Sequence, residues 1–188
     1  PMETEVYVDE RFARDPVSLD AYVMGPSTPV ATAWDDRGMD VTNLVAERDG
    51  HYLASVERGR YQGVTQTHDV EFDLGASVTG HEAIYLLAHG WVYPTDSSIN
   101  LAIGQGNHPA PMGIMLEAKD QSGTWQMVHP DLGFPAGKNK TIVVEVTRLP
   151  DGSLPRHFRF RTNLEVYWDW IGYGPQLEEN ESESIRLE

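Results

Sequence analysis

The residues best suited to chemistry alternate along two aromatic stretches of the sequence, "AHGWVY" and "RTNLEVYWDW". A stacking ring beside a planar donor and carboxylate acceptors is the chemistry of a glycan or small-molecule site. The same imidazole and carboxylates could also serve acid–base catalysis. The candidate ligand-binding residues are His89, Trp91, Tyr93, Arg161, Glu165 and Asp169.

Motifs that would identify an enzyme are missing from the sequence. The chain has no cysteine, which excludes disulfides, thiolate metal sites and a cysteine nucleophile. Its seven histidines form neither an HExxH motif nor the close pair typical of cupin metal sites, and no G-x-S-x-G motif occurs. The sequence therefore predicts no catalytic residues, no cofactor and no tightly held metal.

Two acidic clusters have alternative interpretations. Asp35, Asp36 and Asp40 surround Gly38 in "DDRGMD", which could hold Ca²⁺ but is more typical of a hairpin turn. The acidic residues of "HDVEFDL" alternate with apolar ones and share one face of a strand. We expect that face to be a solvated edge rather than a cation site.

Charge restricts the partners. The chain of 188 residues carries 29 acidic and 14 basic residues, for a formal net charge of -15. That field repels a phosphate backbone and an anionic membrane surface, so we expect neither nucleic acid nor membrane as a partner. Oligomeric state stays open. We expect a secreted or periplasmic location if the chain is part of a larger exported protein, and a cytoplasmic one otherwise.

The hydrophobic pattern predicts an all-β protein. Apolar residues recur with period two in about ten short runs separated by Gly, Pro, Asn and Asp. This is typical of an antiparallel β-sandwich, jelly-roll-like, with a helical turn only at 40–48. We predict an N-terminal extension at 1–19, the sandwich at 20–174 and a flexible acidic tail at 175–188. The predicted strands are 4–10, 20–24, 29–34, 51–56, 68–74, 82–93, 98–105, 112–119, 123–129, 140–147, 156–162 and 164–171.

The period of two also predicts which side chains share a face. In 164–171 it places Trp168 and Trp170 together in the core, with Glu165 and Asp169 on the opposite face. The run 82–93 is apolar on both faces, which predicts a central strand covered on both sides. We expect its aromatic face to meet Arg159, Arg161, Glu165, Tyr167 and Asp169 in one wall. The alternative is that residues 1–20 or the opposing sheet cover that face.

Three segments carry a family resemblance: "GWVYPTDSSINLAI", "LGFPAGKNKTIVVEVT" and "RFRTNLEVYWDWI". They resemble the C-terminal β-rich region of bacterial proteins that combine FG-GAP propeller repeats with an ASPIC/UnbV segment, and of some TPR-repeat relatives. The resemblance extends over about 20–172 and implies an accessory β-sandwich. The chain lacks the FG-GAP and ASPIC repeats, so functions tied to the propeller do not carry over.

Three functions fit these features. The first is a non-catalytic accessory or binding module for a glycan or a protein partner. The second is an enzyme on a jelly-roll scaffold that uses the Arg/Glu/Asp/His wall for acid–base chemistry. The third is an assembly domain of a larger secreted protein. Fold analogy does not choose among them.

Overall fold

The computed structural model describes residues 4–13, 21–54, 57–78 and 81–175, and this part of the chain forms an antiparallel β-sandwich, as predicted. Eleven strands occur within it, arranged as a five-stranded sheet, a four-stranded sheet and a two-stranded hairpin. The predicted tail lies outside the described residues from 176 onward.

The five-stranded sheet has the order β4-β5-β10-β7-β8, and its strands pair antiparallel. Strand β5 lies between two neighbours, so the predicted acidic edge is wrong: the acidic residues lie on an interior strand. Bounds are β4 Thr32–Asp35, β5 Val64–Asp73, β7 Met115–Lys119, β8 Trp125–His129 and β10 His157–Leu164.

The four-stranded sheet has the order β3-β11-β6-β9. Its strand β6 is covered on both faces, as the two-sided apolar pattern predicted. Bounds are β3 Thr28–Pro29, β6 Ile84–Val92, β9 Lys140–Val146 and β11 Val166–Pro175. The run 51–56 forms no named strand in its described part, where Leu53 makes a single bridge to Trp168.

The main core fills the space between the two sheets. Phe72 packs against Phe158 and Phe160, whose ring centroids lie 5.7 Å and 5.0 Å away. Phe160 in turn stacks on Trp168 at 5.3 Å, which joins β10 of one sheet to β11 of the other. Fully buried aromatic side chains contribute the largest apolar area per residue to such a core.

A β-bulge in β11 overturns the prediction that Trp168 and Trp170 lie on the same face of the strand. Trp168 pairs with Gly90 and Trp170 pairs with His89, which leaves Asp169 as an inserted residue. An extra residue shifts the alternation of side chains by one position. Trp168 therefore lies in the main core, whereas Trp170 points to the opposite face of the sheet.

A small second core covers that opposite face at one end. Met24, Tyr85, Leu87, Val143 and Trp170 are buried there. The cover is a hairpin of β1 (Glu5–Val8) and β2 (Ala21–Met24), so strand β1 of the predicted extension packs onto the sandwich.

One segment predicted as a strand is a helix. Residues 98–105 lie in α1 (Ser97–Gln105), and the Asp96 carboxylate accepts a hydrogen bond from Ile99 N–H at 2.8 Å. This N-cap satisfies one of the free donors of the first turn. A 3₁₀ helix at Thr42–Leu44 falls within the helical turn predicted at 40–48. None of the helices in the described residues is long and apolar enough to cross a membrane.

Trp168→Ala should lower the free energy of unfolding by about 3–5 kcal/mol, because it removes a buried ring that joins the two sheets and leaves a cavity. Chemical denaturation measures the loss. Trp125→Ala is the control, since Trp125 is half-buried on the outer surface of the five-stranded sheet, and we expect a smaller loss. An undiminished stability of the Trp168 variant would contradict the core assignment.

Asp96→Ala should lower stability by about 1 kcal/mol, because it removes the N-cap of α1. Asp96→Ser keeps a capping oxygen and should retain most of the stability. Denaturation of both variants, followed by circular dichroism, compares them. Equal stabilities for the Ala and Ser variants would argue against the capped helix.

Candidate functional site

The chain changes sheets at Glu165, and this separates the predicted wall. Strand β10 ends in the five-stranded sheet at Leu164, and β11 begins in the four-stranded sheet at Val166. Arg159 and Arg161 therefore face out from one sheet, while Trp91 and Tyr167 face out from the other. The expectation that Arg161 lies beside Trp91 was wrong. The alternation of side chains along a strand does not show where the chain crosses from one sheet to the other.

Arg161 belongs instead to a charged surface on the five-stranded sheet. Its Nε lies 2.9 Å from Asp69 Oδ1, and Arg159 Nε donates to Glu117 Oε2 at 2.6 Å. Burial raises the pKa of Asp69, although Arg161 and Arg159 act against that shift. His157 Nε2 lies 3.1 Å from Glu71 in the same row. The alternating carboxylates of β5 do share a face, as predicted, but each lies beside a basic side chain: Asp69 beside Arg161, Glu71 beside Lys119 and Asp73 beside Arg156.

Four aromatic residues form a cluster on the outer surface of the four-stranded sheet. The Trp91 ring stacks on Tyr167 with centroids 4.7 Å apart and meets Tyr52 and Tyr93 edge-on at 6.3 Å and 5.8 Å. Lys138 Nζ lies 5.2 Å from the Trp91 centroid, within the range of a cation–π contact. We call Tyr52, Trp91, Tyr93 and Tyr167 the aromatic cluster. The buried Trp91 Nε1 has no hydrogen-bond acceptor among the described residues.

Glu165 lies next to this cluster and is fully engaged. It is 4% exposed and accepts hydrogen bonds from Arg58 Nε at 2.9 Å, from Gly63 N–H at 3.4 Å and from the Tyr167 hydroxyl. Burial raises the pKa of Tyr167, and the hydrogen bond to Glu165 adds to that effect. The phenol is therefore held protonated, and the carboxylate serves as an anchor.

Asp169 and His89 are also held by partners of their own. The buried Asp169 accepts the Gly50 N–H at 2.8 Å, which ties the bulge to a turn. His89 Nδ1 lies 3.0 Å from the Thr141 hydroxyl. Burial lowers the pKa of His89, and the positive charge of Arg48 lowers it further. The neutral imidazole is the favoured form in the folded protein.

An apolar cleft of about 520 Å³ opens beside the aromatic cluster. It lies between the end of β6, helix α1 and the loop that leads into β9, and Tyr93 belongs to both features. Sequence reasoning missed this cleft because it treated α1 as a strand. The lining residues are Gly63, Val92, Tyr93, Pro94, Thr95, Asn100, Ile103, Gly104, Ala110, Pro111, Phe134, Ala136, Gly137 and Leu164.

The loop 133–139 shapes both the cleft and the cluster. Asn139 has φ of 56° and is the only non-glycine residue with a positive φ in the described part of the chain. Such a conformation costs free energy and persists where the surroundings impose it. Here Tyr52 donates to Asn139 Oδ1 at 2.7 Å. The loop also sets Phe134 in the cleft and Lys138 against Trp91.

Exposed apolar side chains lie on or against the elements that form the cleft. Tyr93 is 38% exposed, and Leu101 on α1 is 61% exposed. Phe12 is 60% exposed and packs against Phe134 with centroids 5.4 Å apart. Aromatic and aliphatic residues exposed together are typical of an interaction surface.

The acidic loop at 35–40 is a turn. Asp35 Oδ1 accepts the N–H groups of Arg37 and Met39 at 3.0 Å and 2.9 Å, and Gly38 adopts φ of 74°. The described residues contain no group of three or more His, Cys, Asp or Glu that could hold a metal ion.

Comparison with known proteins does not assign the chain. No family model matches the sequence, and no curated protein matches it. The resemblance to the region associated with ASPIC/UnbV segments therefore stays a prediction.

The pKa of His89 predicts a pH dependence of stability. Because the folded-state pKa lies below the ordinary value of 6.5, the unfolded chain binds the proton more readily. The contribution of the neutral His89 to the free energy of unfolding is therefore complete above pH 6.5 and is lost as the pH falls below it. His89→Gln stays neutral and keeps a partner for Thr141, so its stability should fall less between about pH 7.5 and about pH 5.5.

The control for this measurement is His51→Gln. His51 is exposed, and the hydrogen bond to Asp49 raises its pKa, so its linkage has the opposite sign. Chemical denaturation at both pH values should show that this variant loses as much stability as the native protein does at the lower pH, or more. A flattened profile for His51→Gln, or an unchanged one for His89→Gln, would contradict the assignment.

Proposed function

We propose that this β-sandwich is a non-catalytic binding module that receives an apolar side chain of a protein partner in the cleft. The observation that carries the proposal is the cleft itself, together with the exposed Tyr93, Leu101 and Phe12 around it. A volume of about 520 Å³ falls within the range of about 300–1,000 Å³ that is usual for binding sites.

A protein partner suits the cleft better than a glycan does. The hydrogen-bonding side chains on its wall are those of Tyr93, Thr95 and Asn100, and the other lining residues are aliphatic, phenylalanine, proline or glycine. A sugar placed there would bury hydroxyl groups without enough hydrogen-bond partners, at a cost of about 1–3 kcal/mol for each unpaired group. A leucine, methionine or phenylalanine side chain has no such groups to satisfy.

The engaged carboxylates favour binding over catalysis. A general acid or base must be free to reach a substrate proton. Glu165 is held by Arg58, Gly63 and Tyr167, and Asp169 is held by Gly50. These bonds fix the backbone around the cluster, which makes them part of the scaffold.

Net charge predicts the character of the partner surface. With a net charge of -15, the protein attracts a basic surface from a distance and speeds its encounter. We therefore expect an apolar anchor flanked by Lys and Arg. An accessory role of this kind also agrees with what the family resemblance implies.

A plugged cleft tests the proposal. Gly104 lines the cleft, and a Cβ built on it meets nothing within 4 Å, so we expect the ring of Gly104→Phe to fill part of the cleft. Gln105→Phe on the same helix is the matched control, because Gln105 does not line the cleft. Peptides selected from a random display library on the native protein should contain an apolar anchor with basic neighbours. Fluorescence titration should show at least tenfold weaker binding to the Gly104 variant, or about 1.4 kcal/mol, and little change for the control.

Two results would overturn the proposal. One is the selection of peptides without an apolar anchor. The other is equal binding by the Gly104 and Gln105 variants. Melting curves of both variants show whether each is folded before its affinity is compared.

A further inference from the structure

We propose a second binding site, for a neutral sugar, in a polar pocket where three interior strands of the five-stranded sheet end. Three neighbouring strands, β5, β10 and β7, contribute their ends to it. The pocket has a volume of about 360 Å³. The polar side chains that line it and bear on ligand binding are Asp73, Lys119, Asp120, Gln121, Arg156 and His157.

This pocket is remote from the apolar cleft. His157 opens β10 and lines the pocket, whereas Leu164 closes the same strand and lines the cleft. At about 3.3 Å per residue, the two ends of this strand are roughly 23 Å apart. The two sites can therefore be tested separately.

The walls of the pocket are already ordered. His157 stacks on Trp34 with centroids 5.8 Å apart and meets Trp125 edge-on at 5.5 Å. Asp151 Oδ2 accepts the Gln121 N–H at 3.0 Å, which ties together the two loops that border the pocket. A site ordered in advance loses less entropy when a ligand binds.

Donors in the pocket keep hydrogen-bonding capacity. Arg156 is 61% exposed in its side chain, and its Nε lies 3.9 Å from Asp73 Oδ2, beyond hydrogen-bond distance. Lys119 Nζ lies 3.5 Å from His157 Nε2 and 3.7 Å from Glu71 Oε2. Both groups are positioned to donate to a ligand oxygen.

The charge balance selects the class of ligand. Lys119 and Arg156 supply two positive charges, and Asp73 and Asp120 supply two negative ones. The pKa of Asp120 is lowered to about 2, chiefly by the Ser122 hydroxyl that donates to it, so it is ionised at neutral pH. An anion would meet the carboxylates and a cation would meet the basic groups. A hydroxyl group both donates and accepts, so it can pair with the donors Lys119 and Arg156 and with Asp73. Asp120 contributes its charge only, because its oxygens already accept hydrogen bonds from Ser122, Thr124 and Gln126.

The pocket also offers an apolar patch for the carbon face of a sugar ring. The half-buried Leu154 lies on its wall beside the charged side chains, next to the buried Pro155. Sugars combine an apolar ring face with a rim of hydroxyl groups, which matches this lining. A volume near the lower end of the usual range suits a ligand of about one to two rings.

Amide NMR titration of the whole chain tests the site with methyl glycosides of glucose, galactose and mannose and with their disaccharides. We expect shifts confined to 119–123 and 153–157 for at least one neutral sugar. Glucuronate and glucosamine should bind at least fivefold more weakly than that sugar. Arg156→Ala and Asp73→Asn should each weaken binding at least fivefold, and Arg37→Ala, which changes an exposed arginine of the Asp35 turn, should not.

Each opposite result overturns the proposal. If no neutral sugar of the panel shifted the amide signals of these residues, the proposed site would be rejected. Preference for glucuronate would make it an anion site, and shifts at the apolar cleft instead would place sugar binding at the other surface. Equal affinities for the Arg156 and Arg37 variants would show that the pocket is not where the sugar binds. Melting curves confirm that the compared variants are folded.

Discussion

The crossing of the chain between sheets at Glu165 is the constraint on which the candidate sites depend. Its backbone N–H donates to Gly63 O at 3.1 Å, and its carbonyl accepts from Tyr93 N–H at 2.8 Å. Its buried side chain then binds Gly63 N–H, Arg58 and the Tyr167 hydroxyl. A buried carboxylate is stable only when it is paired and hydrogen-bonded, and this one is. One residue thus joins the end of β6, the start of β5 and the aromatic cluster.

Close backbone packing at this corner explains why residue 63 is a glycine. Gly63 has φ of 78°, and a Cβ there would lie 2.6 Å from Tyr93 O. Only glycine therefore allows the segment before β5 to approach the end of β6 so closely. The same approach forms one wall of the apolar cleft, where Gly63, Tyr93 and Leu164 meet. The fold and the cleft consequently share one structural requirement.

The sequence predicted the layers of the fold better than it predicted the sites. Alternation along the predicted strand 156–162 agrees with the structure, where Phe158 and Phe160 lie in the core, because side-chain direction in a regular strand follows period two. The same rule failed at Trp170, because a bulge adds one residue that alternation does not reveal. Residues 98–105 also alternate between apolar and other residues. Asp96, a residue type favoured at helix N-caps, directly precedes this helix and was the signal in the sequence that the run is helical.

The wrong grouping of the site residues has a different physical origin. Local patterns report which side chains share a face of one strand, whereas a site depends on which strands share a sheet. Arg161 and Glu165 are four residues apart, yet they belong to different surfaces, because the chain changes sheets after Leu164. Tyr52, Lys138 and Tyr167 are distant in sequence and converge on Trp91. The two proposed sites differ in chemistry. The cleft is lined mainly by aromatic and apolar residues, whereas the polar pocket balances charge across three strand ends. The sandwich keeps them apart because they lie at opposite ends of β10, where Leu164 lines the cleft and His157 lines the pocket.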